Sequence, residues 1–164
     1  MRIVKIIALS VLTVVPMNAF AAALSFGGTS TGNDPVEIKS ETLNVNQETN
    51  QAIFEGDVIA VQGALRIYAP RITVDYVEID GKTEIDMVTG IGGVTVVNGP
   101  ESAEGDQAVY FLRQNEIVMV GDVIAINGPT TVTGDKMVVN TTTGAANMSG
   151  NVKTLLNAGS AKDE

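Results

Sequence analysis

Histidine, cysteine and tryptophan are all missing from the 164 residues. Without histidine or cysteine the chain has no ordinary general base near neutral pH, no thiolate nucleophile and none of the usual transition-metal ligands. It also has no disulfide, so stability in an oxidising compartment must come from burial and backbone hydrogen bonds. Aromatic residues are scarce, at 4% against 45% hydrophobic overall, which makes any core aliphatic. Basic charge is short as well: ten Lys and Arg face nineteen Asp and Glu, for a net charge of −9. That balance argues against binding nucleic acid or an anionic membrane face through a basic field. Beyond the N-terminus no apolar run is long enough to cross a bilayer, since even residues 117–126 are broken by Gly121-Asp122.

The beginning of the chain reads as a targeting signal. Arg2 and Lys5 give a basic start, residues 6–15 are apolar, and Ala19-Phe20-Ala21 puts small residues at the two positions a signal peptidase reads. The pattern predicts a signal peptide over 1–21, with cleavage as late as 23, then a flexible segment over 22–34, one domain over 35–156 and a polar tail over 157–164. Loss of Arg2 and Lys5 leaves eight basic residues against nineteen acidic ones, so the mature net charge is about −11. A soluble protein on the far side of a membrane is expected.

What the chain does have is a repeat. Gly56-Asp57-Val58, Gly92-Gly93-Val94, Gly121-Asp122-Val123 and Gly150-Asn151-Val152 recur with spacings of 36, 29 and 29 residues between their glycines. Ala69, Gly105 and Gly134 keep step, each 13 residues after a repeat glycine. All the length variation therefore falls between Ala69 and Gly92, as a seven-residue insertion around Asp80-Gly81. A fixed period of this kind marks one supersecondary unit copied along the chain.

Between the markers apolar and polar residues alternate, as in Val36-Glu37-Ile38-Lys39 and Leu43-Asn44-Val45-Asn46, which is the period of a half-buried strand. Polar, Gly and Asn clusters such as Asn98-Gly99-Pro100 and Asn127-Gly128-Pro129 read as hairpin turns between about eight antiparallel strands. The repeat glycines fall inside strands, where glycine marks a bulge or bend, and an adjacent Asp or Asn tolerates the same dihedrals. Gly56, Gly92, Gly121 and Gly150, with Ala69, Gly105 and Gly134, are thus predicted bend residues at one common height. Stacking such strands folds the sheet lengthwise into a trough.

The residues expected to line its interior are Ile38, Leu43, Val45, Phe54, Val58, Ala60, Ile67, Ile72, Val74, Val94, Val96, Ala108, Tyr110, Met119, Val123, Ala125, Met137 and Val139. The same pattern describes a filled sandwich core equally well. Walls of Val, Ile, Ala and Met, poor in rings, also suit flexible acyl chains. A secreted β-solenoid or adhesin with a filled core is the alternative reading. Catalysis has little to work with: Gly90-Ile91-Gly92-Gly93 precedes a strand rather than a helix, and Asp57 and Asp122 lack ligand-dense spacing. No enzyme activity, cofactor or metal is predicted.

The order and register of these motifs resemble a known family. Residues 35–45 (Pro-Val-Glu-Ile-Lys-Ser-Glu-Thr-Leu-Asn-Val), 51–63 around Phe54-Glu55-Gly56-Asp57-Val58, 65–74 around Tyr68-Ala69-Pro70-Arg71, then 103–110 and 120–123, are similar to the OstA-like, LptA-type domains of periplasmic lipopolysaccharide transport. The resemblance implies an all-β, antiparallel jellyroll shaped like a folded taco, with about eight long kinked strands or sixteen short ones and an aliphatic groove. It implies a passive conduit in the periplasm that carries lipopolysaccharide, lipid A acyl chains in the groove. Head-to-tail self-association would use edge strands that also meet an LptC-like inner-membrane component and an LptD-like outer-membrane translocon. Lys39, Arg66, Arg71 and Lys136 are the candidate head-group contacts.

Overall fold

The computed structural model describes residues 34–156. The expected signal peptide over 1–21, all but Asp34 of the expected flexible segment over 22–34, and the expected tail over 157–164 lie outside the described residues. Ten strands follow one another: β1 (Glu37–Lys39), β2 (Thr42–Asn46), β3 (Gln51–Gln62), β4 (Leu65–Ile79), β5 (Lys82–Asn98), β6 (Glu101–Phe111), β7 (Glu116–Asn127), β8 (Thr130–Asn140), β9 (Ala146–Ser149) and β10 (Lys153–Leu156). Between β6 and β7 lies a short 3-10 turn, Leu112–Gln114. β3 to β8 form a meander in which each strand pairs antiparallel with the next. β1 and β2 pair side by side along the two halves of β3, and β9 and β10 do the same along β8. Taking each of these broken pairs as one kinked strand gives eight long strands. An antiparallel meander of this kind is not a solenoid.

Every long strand is interrupted at the same height. The pairing registers shift between Glu55 and Val58, Tyr68 and Arg71, Ile91 and Val94, Glu104 and Gln107, and Val120 and Val123. At the repeat tripeptides two successive residues take positive φ: 86° and 41° at Gly56-Asp57, 89° and 91° at Gly92-Gly93, 85° and 43° at Gly121-Asp122, and 73° and 47° at Gly150-Asn151. Only glycine accepts the first of these positions cheaply, and Asp or Asn is the side-chain-bearing residue best suited to the second. Space reinforces conformation. A Cβ on Gly56 would lie 2.5–2.7 Å from the Glu41 side chain, and one on Gly121 or Gly150 would run into Asp106 or Asp135. The residue following each small position thus folds over the glycine of the neighbouring strand.

The aligned bulges crease the sheet into two leaves. The first leaf holds β2, β9 and the halves of β3 to β8 that include residues 51–55, 71–75, 87–91, 107–111, 116–120 and 136–140. The second holds β1, β10 and residues 58–62, 65–69, 94–98, 101–105, 123–127 and 130–134. Their inner faces share one hydrophobic cluster, with Ile72, Val74, Met119 and Val123 fully buried. At about 1.5–3 kcal/mol for each large aliphatic side chain removed from water, this shared face is what holds the crease closed.

The insertion lengthens two neighbouring strands across a tight turn, so β4 reaches 15 residues and β5 reaches 17. Asp80 and Gly81 both have positive φ, the requirement of a type I′ hairpin. Tyr76 and Ile85, paired beyond a bulge, extend the inner face past the ends of the neighbouring strands and pack against the core.

Candidate functional site

Cross-strand register sorts the inner face into rows, because paired residues point the same way and alternate residues point oppositely. One row of the first leaf runs Val45, Ala52, Val74, Val88, Tyr110, Ile117, Val139, Ala146. The next, nearer the crease, runs Leu43, Phe54, Ile72, Gly90, Ala108, Met119, Met137, Met148. On the second leaf Ile38, Ala60, Ile67, Val96, Ala103, Ala125 and Val132 form the matching row. Apolar surface therefore continues from one edge of the sheet to the other on the first leaf, and from β1 to β8 on the second, where Thr154 of β10 stands opposite Val132.

Of the residues expected in the interior, Val58, Ala60, Ile67, Ile72, Val74, Val94, Val96, Ala108, Tyr110, Met119, Val123, Ala125, Met137 and Val139 all lie in the buried cluster. Ile38 and Phe54 are half-buried against it. Leu43 and Val45 stand in the inner rows, yet they are 55% and 62% exposed because β2 is the outermost strand of its leaf. At the other end Met148 is half-buried and Leu156 is 67% exposed. Among the described residues no strand pairs with the outer sides of β1, β2, β9 or β10. Each end of the trough thus offers unpaired backbone beside exposed apolar side chains.

The four cations go elsewhere. Lys39 and Arg66 pair with Ile59 and Val61, Arg71 with Glu55, and Lys136 with Val120, each one step out of phase with a residue of the inner rows. All four face outward. Arg71 meets Glu55 at 3.1 Å and Lys39 meets Glu37 at 3.5 Å, in exposed pairs of the kind that contribute little. The expected head-group contacts are therefore separated from the interior by the thickness of the sheet.

Several inner residues escaped the sequence reading. Gln62, Asn98, Glu101 and Asn127 occupy the inner row at the free rim of the second leaf, the first three no more than 7% exposed. Each adjoins a Gly or Pro turn and so reads as turn chemistry, although strand parity carried forward would have placed it inside. Asn127 Nδ2 donates to Glu101 Oε1 at 2.7 Å, and Gln62 Nε2 donates to the carbonyl of Asp34 at 3.0 Å. From the opposite leaf the Tyr110 hydroxyl reaches across and donates to Gln62 Oε1 at 3.0 Å. Burial pushes the Tyr110 phenol above its ordinary pKa of 10.0, and Thr141 beside it works against that shift. No bond of acceptable geometry reaches Thr141 Oγ1, which is buried.

The leaves are in contact. The cavity bounded by Val36, Ala60, Gln62, Leu65, Val88 and Tyr110 has a volume of about 10 Å³, room for about one water molecule. Outside, the bulges leave shallow clefts along the crease, one beside Asp57, Tyr68 and Pro70 and another beside Glu104, Asp106 and Asp122. Among the described residues no group of three or more acidic side chains is placed to hold a metal ion, and no helix is long and apolar enough to cross a membrane.

Comparison with known proteins gives this geometry a context. A protein of Rhizobium meliloti (strain 1021) described as uncharacterized is 29% identical over 107 residues, covering 62% of this chain and 58% of that protein. The chain thus spans under two thirds of the length of this relative. The fold is similar to LptH of Pseudomonas aeruginosa, described as the LptA homologous periplasmic component of the conserved lipopolysaccharide transport device, with a TM-score of 0.71. That match covers 79% of this chain and 99% of LptH at 18% identity. Residues 37–145 match the family model for the LptA/(LptD N-terminal domain) LPS transport proteins. The kinked antiparallel meander and the family match agree, and the chain belongs to this lipopolysaccharide-transport family.

Proposed function

We propose that the protein binds lipopolysaccharide by taking its acyl chains between the two leaves, and that it hands the lipid on as a periplasmic link between the inner and outer membranes without catalysing any reaction. The observation that carries this reading is the apolar inner face, which on the first leaf runs unbroken from Leu43 and Val45 at one edge to Ala146 and Met148 at the other. Transfer of acyl chains out of water is favourable by roughly 0.8 kcal/mol per CH₂, and passage to a second trough of the same kind is nearly neutral. Such a conduit needs no tight site. It does need the leaves to part, because the cavity of about 10 Å³ holds no chain; the crease glycines are the place where that rotation costs least side-chain strain. Residues of the buried cluster, with Ile38, Leu43, Val45 and Phe54, would then become the acyl-chain lining.

The outer sides of β1, β2, β9 and β10, which pair with no other strand among the described residues, suit strand addition, through which copies would stack head to tail and meet LptC-like and LptD-like partners. The tight packing of the interior is the one observation that favours a second reading, a structural module whose core stays filled. A photo-crosslinking residue at Ile67 or Val123 separates the two. Capture of lipopolysaccharide in cells supports transport, whereas adducts no more frequent than at an outward control such as Thr95 would reject it. Depletion of the protein should make lipopolysaccharide accumulate at the inner membrane, and normal export would likewise reject the role.

A further inference from the structure

The free rim of the second leaf is largely polar, and among the described residues no Lys or Arg stands in its inner row; on the facing rim Arg113, in the turn between β6 and β7, is paired with Asp86 at 3.3 Å. Gln62, Asn98, Glu101 and Asn127 share the free rim of the second leaf with the buried Leu65, which lies between Gln62 and Asn98 in register, while Asn98 stands opposite Glu101 and Glu101 opposite Asn127. Across the mouth stand the Tyr110 hydroxyl and, beside it, the buried side chain of Thr141. Deeper in the trough the rows paired across β1 to β8 are apolar. Among the described residues no Lys or Arg is buried, and Arg66, Arg71 and Lys136 alternate out of phase with the inner rows.

We infer that this rim is a binding subsite for the linkage region of a glycolipid: the amide, ester and hydroxyl groups where acyl chains join the sugars. The inference rests on the acyl-chain reading above and deepens it. A lipid whose chains enter between the leaves carries its first polar atoms at the mouth, opposite these side chains. In the closed protein the rim groups satisfy one another, as Asn127 does Glu101 and Tyr110 does Gln62. When the leaves part, those donors and acceptors are exposed in a dry setting, and bonds to the ligand's amides and hydroxyls replace the lost ones. Phosphates have no such place, because among the described residues the inner row of this rim holds a carboxylate and no Lys or Arg, and Arg113 across the mouth is already paired with Asp86; they remain in water and recognition does not depend on them.

The test compares diphosphorylated lipid A with its dephosphorylated counterpart, each in detergent, for binding to the purified mature chain by displacement of an environment-sensitive fluorophore. Affinities within about twofold of each other, and flat between low and high salt, are expected. An Asn98→Leu/Asn127→Leu variant should weaken both lipids about tenfold, the loss of one or two net hydrogen bonds. Arg66→Gln and Lys136→Gln should leave both unchanged. A tenfold preference for the phosphorylated lipid, a steep salt dependence, or a loss with the outward cations overturns the inference. So does a folded rim variant that binds like wild type, while the acyl-chain reading then stands. Failure of the wild-type chain to bind either lipid would remove that reading itself. The wild-type comparison alone decides if the rim variant does not fold.

Discussion

Replacing Gly121 by alanine should be far more damaging than a methyl group in a strand suggests. Gly121 has φ of +85°, a backbone region that costs an alanine about 1–2 kcal/mol. The new Cβ would also land inside van der Waals contact of the Asp106 side chain on the neighbouring strand, including its Cβ, so rotation of the carboxylate alone cannot relieve it. Forcing strands apart for one methyl adds about 1–3 kcal/mol, for a total of roughly 2–5 kcal/mol. Gly93 supplies the control, because it sits at φ of +91° with nothing within 4 Å of the same virtual atom. Gly93→Ala should therefore cost only about 1–2 kcal/mol. Urea denaturation of both variants, read at constant slope, measures the difference. Asp106→Gly in the Gly121→Ala background should restore the collision part, giving a favourable coupling of about 1 kcal/mol or more in a double-mutant cycle. Equal losses at Gly93 and Gly121 with no coupling would refute the account of the crease as a close approach of side chain to glycine.

Tyr110→Phe should cost about 1–2 kcal/mol by removing the donor to the buried Gln62 carbonyl, measured by denaturant melts. The same residue sets an alkaline limit. Because burial raises the phenol's pKa, the folded state holds the proton more tightly than the unfolded one, so wild-type stability is full below about pH 10 and falls as pH climbs through the raised value. Tyr110→Phe should flatten that decline, and identical pH profiles would contradict it. Met119→Ala, at a fully buried position, should destabilise by about 2–5 kcal/mol in thermal or urea unfolding, and a loss under 1 kcal/mol would mean the leaves collapse onto the gap. Proline in the outermost strands, at Asn44 or Leu155, should reduce concentration-dependent association seen by ultracentrifugation, whereas association unchanged in both would remove strand addition as its mechanism.

Much of the fold is legible in the sequence because the bulge has a chemical requirement. Two successive left-handed residues demand glycine followed by Asp, Asn or glycine, so the crease writes itself into the chain at Gly56, Gly92, Gly121 and Gly150. The β4–β5 extension is legible for the same reason, in Asp80-Gly81. Side-chain direction is legible only where parity is followed through: Ile67 and Ile72 point inward, which already puts Arg66 and Arg71 outward. Asn98 and Asn127 look like turn residues because their neighbours are Gly and Pro, and they serve the turn and the interior at once. Exposure at Leu43 depends on which strand is outermost, and contact of the leaves depends on how far the crease folds. Neither quantity is local, so neither leaves a mark in the sequence.

The 29-residue period has a consequence for how such a molecule can change length. One period is an out-and-back excursion that leaves the chain on the side it started from, with its glycine step again in line. Duplicating or deleting such a unit would lengthen or shorten the corridor while leaving the terminal strands, and whatever docks on them, unaltered. Size and docking specificity are therefore separable properties of this architecture, free to diverge independently.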